Sequence, residues 1–336
     1  MTEDHPVPAG KIFAFGFGFA PGQIISSAVE LGIFKAVHEG HRSPEAVARA
    51  IGASERGVRV LLDALAGLEF LEKVEGRFKL TRLSETYLIP SSPLYLGDAI
   101  GHHKDMRETW THLTEVVKTG KPWRDPQAAK FALERLGRLA RGLFSQNYQR
   151  ARMLARALGM GQKIKGAKIL DVAAGSAAWS IALLEQDPES QAVAVDLPPV
   201  IEITKEYVEK HLMGDRYQYI AGNIRNLDLG NEEYDLALLG NICHSEGPIH
   251  SRSLISKIGR CLKPGGKIII VDMIPNNERT GPVIPLIFAV NMLVATEEGG
   301  TFTRKEYQEW LKTAGFGKIE EIEAGGNSPV LVAERL

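Results

Sequence analysis

The chain has 336 residues, 44% hydrophobic and 24% charged, and its 40 basic and 41 acidic side chains leave a net charge of −1. Such a chain buries a sizeable core, which excludes collagen-like, disordered and disulfide-scaffold classes. The charge balance leaves no global basic field for a polyanion, and two cysteines, Cys243 and Cys261, make no disulfide framework, so a reducing, cytoplasmic compartment is expected.

The N-terminus carries acids and lacks the basic start and long apolar core of a secretory leader. No apolar run is read as reaching the roughly 18 residues of a membrane span. Phe13, Phe15, Phe17 and Phe19 alternate with small residues, as an arm on a partner subunit or as the opening of the first helix. GQIISSAVELGIFKAVHEG keeps helical spacing and stops at Gly40. Ser43, Pro44 and Glu45 start the next helix as cap, first-turn proline and N-terminal acid, and Gly52 ends it. Ser54 caps a third helix, and FLEKVEGRFKLT reads as two short strands about Glu75-Gly76. Three helices and a hairpin make a winged-helix module. Residues 1–90 carry ten basic and eleven acidic side chains. The helix that would read DNA offers Arg56 and Arg59 beside Glu55 and Asp63. The expectation is therefore oligomerisation or a substrate lid, with no nucleic acid and no membrane partner.

Residues 91–163 form a helical, amphipathic zone, and the glycine-rich GMGQKIKG at 159–166 is the expected boundary. From 164 to 336 apolar strands alternate with helices, as in a doubly wound α/β sheet. KILDV at 168–172 reads as a buried strand, followed by small residues and a helix from about Ala177. Small side chains at such a turn let a ligand approach backbone N–H groups. The next strand ends in Asp196, 21 residues after Gly175, placed to accept hydrogen bonds from ribose hydroxyls. The loop holds one glycine where a dinucleotide fingerprint wants three, and Asp171 at the strand end would repel phosphate but could hold an ammonium. S-Adenosylmethionine has that ammonium and no phosphate. The alternative is a plain strand-turn-helix whose Asp171 caps the helix.

DVAAGSA, AVAVD, IAGN, LLGNICHSEG, LKPGGKIIIVDM and TFTRKEYQEWLKTAGF together resemble the class I S-adenosylmethionine-dependent methyltransferases. The N-terminal winged helix narrows the resemblance to the acetylserotonin O-methyltransferase-like group, over residues 20–334. That group includes plant caffeate-type, antibiotic and bacteriochlorophyllide methyltransferases. The resemblance implies a seven-stranded Rossmann-like sheet with the last strand antiparallel, and a homodimer. It also implies S-adenosylmethionine as cofactor and S-adenosylhomocysteine as product. It places Asp171, Ala173 and Gly175 around the methionine part, Asp196 on the ribose and Leu197 by the adenine, with Gly222, Asn223, Ile224 and Asn241 completing the site. Ala173 and Ala177 replace common glycines, so the loop is expected at negative φ or the ligand slightly further off.

His244, just past the fourth strand of the sheet, matches the group's general base, with Asp272 as its orienter and Glu246 as a rival. Where plant-type members carry a second acid, Thr301 or Phe302 stands; Glu297 and Glu298 are out of register. A small aromatic or polyketide-like hydroxyl is the expected methyl acceptor, with carbon methylation of a planar tetrapyrrole, or a ligand-responsive DNA-binding regulator, as alternatives. Acceptor-pocket candidates are Trp110, Phe144, Tyr148, Met153, Phe288, Asn291 and Met292. His102 and His103 lack the spacing of a zinc site, and no metal is expected.

Overall fold

The structure, a computed structural model, describes the backbone of residues 9–123 and 129–336; the side chains at 98, 102–105 and 129–135 are not described. The chain forms two compact units, Met1–Lys104 and Asp105–Leu336. The division falls ahead of the glycine-rich segment at 159–166, which is instead a turn inside the second unit where Gly161 N–H donates to Ile164 O.

The first unit contains α1 (Gly10–Gly16), α2 (Phe19–Glu30), α3 (Ile33–His38), α4 (Pro44–Ile51), α5 (Glu55–Gly67), β1 (Leu71–Val74), β2 (Arg77–Leu80) and α6 (Arg82–Tyr87). Ser43 and Ser54 cap α4 and α5 by accepting the N–H of Ala46 and Gly57. The hairpin turns at Glu75 and Gly76, both at positive φ, which matches the twist of the paired strands. The single helix expected up to Gly40 is broken in two: Gly32 sits at φ 74, and the chain restarts as α3. Ala28, Ile33, Phe34, Val47, Val58, Leu62, Leu65 and Phe78 form the core of this unit. Ahead of it, Phe13 and Phe15 of α1 and Phe17 just past its end are each 73% exposed. Within the 21 residues Gly10–Glu30 an 18-residue window reaches a mean hydropathy of 1.5, long and apolar enough by length and composition to cross a membrane. That corrects the expectation of no such run. Glycine, serine and proline interrupt the apolar residues, yet no charge falls between Lys11 and Glu30.

α7 (Gly97–Trp110) leads into the second unit, which continues with α8 (Leu113–Thr119) and α9 (Ala129–Leu158). Then come β3 (Lys168–Val172), α10 (Ala178–Gln186), β4 (Gln191–Asp196), α11 (Pro198–Lys210), β5 (Tyr217–Ala221), β6 (Tyr234–Gly240) and α12 (Cys243–Cys261). The unit ends with β7 (Leu262–Val271), α13 (Val283–Ala295), α14 (Arg304–Thr313), β8 (Glu320–Ile322) and β9 (Val330–Glu334).

These seven strands form one sheet in the order β5-β4-β3-β6-β7-β9-β8, with β9 antiparallel to both neighbours and the first five parallel. This is the expected doubly wound sheet. Ile169 packs with Ile181, Leu183 and Leu154 on the side of α9 and α10. Leu170 and Val172 pack with Ile255, Ile258, Trp310 and Leu311 on the side of α12 and α14. Strands buried on both faces read as the continuous apolar runs seen in KILDV and KIIIV. β3 pairs with β4 on one side and β6 on the other, so the strand order reverses there and a crevice opens at the carboxyl ends.

Candidate active site

The loop after β3 lines a cavity of about 50 Å³ formed by Ala173, Ala174, Gly175, Ser176, Ala178 and Trp179, with Gly240 at the end of β6, Asn241 beyond it, and Ala140, Leu143 and Asn147 of α9. Ala173, Gly175 and Ala177 hold φ of 54°, 57° and 55°. The expected retreat of the two alanines to negative φ does not occur. The turn into α10 needs the left-handed geometry, and each alanine carries about 1–2 kcal/mol of local strain for it.

Asp196 ends β4 half-buried. Its Oδ2 accepts the Gly175 N–H at 2.9 Å and its Oδ1 the Leu197 N–H at 2.7 Å. Burial raises its pKa against those two bonds. A carboxylate has about four lone-pair positions, so room remains for hydroxyl donors. Gly222 N–H closes on Asp196 O at 2.9 Å, and Asn241, at φ 61, donates to Val271 O at 2.8 Å. Asn223 accepts the Arg225 N–H at 3.0 Å, so part of its amide is spent within its own loop. Leu197 caps α11 and packs on Ala140, Val200 and Ile203, while Ile224 packs on the core beneath. Among the described residues neither Lys nor Arg lines the cavity at the loop to answer a pyrophosphate. Asp196 and the small-residue turn fit an adenosine-bearing ligand without phosphates.

Asp171 lies elsewhere than expected. It is buried beneath the loop, outside the cavity's lining, where Ser180 Oγ donates to it and Tyr217 donates in turn to Ser180 at 3.0 Å. Burial first, with Asp196 adding to it, pushes its pKa up to about 7 despite the Ser180 bond. Its visible work is to anchor the loop to α10.

The second cluster sits at the ends of β6 and β7. His244 is the second residue of α12, which kinks at Gly247 (φ 73) before Pro248. A side chain at Gly247 would stand 2.7 Å from Glu298 O, so glycine is needed there for space as well as for backbone angle. His244 Nδ1 lies 2.6 Å from Asp272 Oδ1, and its backbone N–H donates to Oδ2 at 3.1 Å. Asp272 also accepts the Met273 N–H at 2.8 Å and the Tyr307 hydroxyl at 3.0 Å. Four donors on one buried carboxyl fix its orientation, and with it the imidazole. Acceptance by Asp272 places the proton on Nδ1 and leaves Nε2 a bare acceptor.

Phe288 meets the His244 ring edge-on at 4.9 Å. One turn further on, Asn291 accepts the Trp110 indole N–H at 2.9 Å, and Met292 is buried beside it. Trp110, Phe288, Asn291 and Met292 therefore gather on the α13 side, with Phe288 against His244. Phe144, Tyr148 and Met153 do not join them. Phe144 stacks on Tyr148 and packs on Tyr207 and His211, and the Tyr148 hydroxyl donates to Glu185 at 2.6 Å. Glu185 and His211 stand at the far ends of α10 and α11 from the ligand edge, so these rings belong to helix packing. Met153 is 49% exposed beside Gly325.

Glu246, the rival base, is paired to Arg225 at 2.7 Å. In place of a second acid, Thr301 and Phe302 are both buried, and Phe302 packs on Tyr307 and Trp310. Sequence reasoning missed Tyr307, whose tie to Asp272 spans 35 residues and leaves no local signal. It also missed Trp179, which a reading of the loop by its small residues passed over. The side chains of His102 and His103 lie outside those described; among the described residues no three His, Cys, Asp or Glu side chains gather as a metal set.

Fold and site together define a Rossmann-like group-transfer enzyme with an N-terminal winged-helix module. The O-methyltransferase domain model matches residues 110–317 and the O-methyltransferase dimerisation domain matches residues 13–90; the chain belongs to this O-methyltransferase family. Among curated relatives, 3-hydroxy-5-methyl-1-naphthoate 3-O-methyltransferase of Streptomyces sahachiroi is 29% identical, over 89% of this chain and 87% of its own. A provisionally named O-methyltransferase of Nostoc punctiforme superposes with a TM-score of 0.87 at 28% identity, covering 98% of this chain and 100% of its own. Human N-acetylserotonin methyltransferase, solved in complex with S-adenosylmethionine, shares the fold at a TM-score of 0.87 and 22% identity, covering 100% of this chain and 99% of its own.

Proposed function

We propose that the enzyme moves a methyl group from S-adenosylmethionine to a hydroxyl on a small aromatic or polyketide-like acceptor. The carrying observation is the buried His244–Asp272 pair, 2.6 Å apart, with Phe288 against the imidazole. S-Adenosylmethionine, when bound, supplies an electrophilic methyl with its own leaving group. Asp196 is the residue for its ribose, Leu197 and Asn223 for its adenine, and the loop from Ala173 to Ala177 for its methionyl end.

The chain's own task is to align the acceptor and remove its proton. Alignment is worth up to ~7–11 kcal/mol of the barrier. Asp272 holds His244 in one tautomer, so Nε2 takes the hydroxyl proton as oxygen becomes the nucleophile. Phe288, Met292 and the Trp110–Asn291 pair suit a flat, apolar acceptor with a polar handle. A carbon acceptor has less need of such a base, so the pair favours oxygen. The naphthoate named for the Streptomyces relative is an aromatic hydroxyl of this kind. The family's dimerisation domain and the exposed Phe13, Phe15 and Phe17 support a homodimer.

The test is turnover of hydroxylated naphthoates and polyketides with labelled S-adenosylmethionine. His244→Ala should lower turnover about 10²–10⁴-fold while cofactor affinity stays near wild type. Full turnover in that variant, on a hydroxyl protonated at the assay pH, overturns the assignment.

A further inference from the structure

Tyr307 puts a hydroxyl where the core has no use for one. It is 0% exposed, and the rings of Phe302 and Trp310 meet it edge-on with centroids 6.1 and 5.3 Å away. Phenylalanine would fill that space without the cost of burying a polar group. The hydroxyl is spent instead on Asp272, donating to Oδ2 at 3.0 Å. Its placement is built in. The capping box at Thr303 and Glu306 starts α14 one turn earlier, and Arg279 holds both Glu306 and the Thr301 carbonyl.

Asp272 offers about four lone-pair positions, and four donors take them. Oδ1 accepts from His244 Nδ1 and the Met273 N–H; Oδ2 accepts from the His244 N–H and Tyr307. Two of these donors are backbone and one is the imidazole itself. Among the described residues, Tyr307 is thus the side chain that can set the carboxylate's charge independently of His244. Its proton stays in place: burial, with Asp272 beside it, pushes the Tyr307 pKa well above its ordinary value. Burial likewise pushes up the Cys243 thiol that stands against the same hydroxyl. The charged groups on the neighbouring elements are engaged elsewhere or solvated. Glu246 pairs with Arg225, Arg279 with Glu306, and Glu298 is exposed. From α13 the imidazole meets the uncharged Phe288.

We propose that Tyr307 is a positioning residue that sets the basicity of His244 through Asp272: its hydroxyl takes up part of the carboxylate's charge and so holds down the proton affinity of the imidazole. Nε2 is then kept bare, ready for the acceptor's proton. The inference rests on the reading of His244 as the base. The sign follows from competition for one carboxylate. Two or three donors together lower a carboxylate pKa by about two units, so one donor accounts for about one. Part of that passes to the imidazole across the 2.6 Å bond.

The experiment is the pH profile of kcat/KM for wild type and Tyr307→Phe, paired with a ¹⁵N titration of the His244 imidazole in the enzyme without substrates, assigned through His244→Ala. In Tyr307→Phe both midpoints should rise by about 0.5–1 pH unit, with KM for S-adenosylmethionine unchanged. A tyrosine needed only for packing would lower stability and scale the whole profile without moving its midpoint, and that result overturns the proposal. 3-Fluorotyrosine at position 307 covers the case in which the phenylalanine variant does not fold. It keeps the ring and the hydroxyl and makes the O–H a stronger donor, so both midpoints should fall. Unmoved or raised midpoints there overturn the proposal as well. If His244→Ala keeps full turnover, the base reading falls first, and the ¹⁵N midpoint still decides whether Tyr307 acts on the imidazole.

Discussion

Asp272 does its work through four donors from three parts of the chain: His244 twice, Met273 and Tyr307. Removing one of them should show which matter to chemistry. Tyr307→Phe leaves the His244 bond in place, so turnover should fall less than 10-fold. Stability should drop by about 1–2 kcal/mol in denaturant melts, because a buried acceptor loses a partner. Asp272→Asn should cost more turnover, since an amide can present its NH₂ to Nδ1 and select the wrong tautomer. Asp171 makes a separate prediction. Its folded pKa of about 7 lies above the ordinary carboxylate value near 4, so the folded state resists ionising it. Below about pH 4 that burden is absent. It grows as pH rises and is complete above about 7, at a cost on the order of a few kcal/mol. Asp171→Asn should flatten the loss of stability across that window in melts at stepped pH. A slope equal to wild type's would contradict the assignment. Ala173→Gly should raise stability by about 0.5–1 kcal/mol, because relief at φ 54 exceeds the entropy that glycine adds to the unfolded chain.

At the scale of elements, the loop after β5 is pinned from α12. Lys257 Nζ donates to the carbonyls of Ile224, Arg225 and Leu227 at 2.7, 3.1 and 2.9 Å. One ammonium thus satisfies three loop carbonyls. Lys257→Met should destabilise the protein by about 1–3 kcal/mol and speed amide exchange across residues 223–227. Unchanged exchange there would show that the loop holds itself. The capping box of α14 works in the same way at its own end: Thr303 accepts the Glu306 N–H and Glu306 accepts the Thr303 N–H. That cap sets the start of the helix that delivers Tyr307 to Asp272.

At the scale of the whole molecule, the N-terminal helices present more apolar surface than one copy of a compact unit covers. Ile12 is 76% exposed and Phe19 64%, beside Phe13, Phe15 and Phe17. Patches of that kind mark interfaces. Sedimentation should find a dimer, and Phe15→Ser with Phe17→Ser should weaken it while each unit keeps its fold. A wild-type monomer at micromolar concentration would reject the dimer.

The sequence by itself determined the elements whose causes are local. Ser43, Ser54 and Gly52 mark helix ends because capping is decided within four residues. The apolar runs of β3 and β7, the small-residue turn and Asp196 made the sheet and its ligand edge legible. So did the resemblance that placed His244 with Asp272, 28 residues apart. Only the tertiary structure decided what depends on facing surfaces. Phe144 and Tyr148 look like pocket walls in one dimension, and become helix packing because the phase of α9 turns them onto α10 and α11. Asp171 looks like a ligand-binding acid, and becomes a buried anchor because successive strand residues alternate faces and Ser180 waits on its side. The alanines at 173 and 177 stay left-handed because the turn from β3 into α10 is set by the packing of both elements, and a penalty of ~1–2 kcal/mol is too small to reverse it.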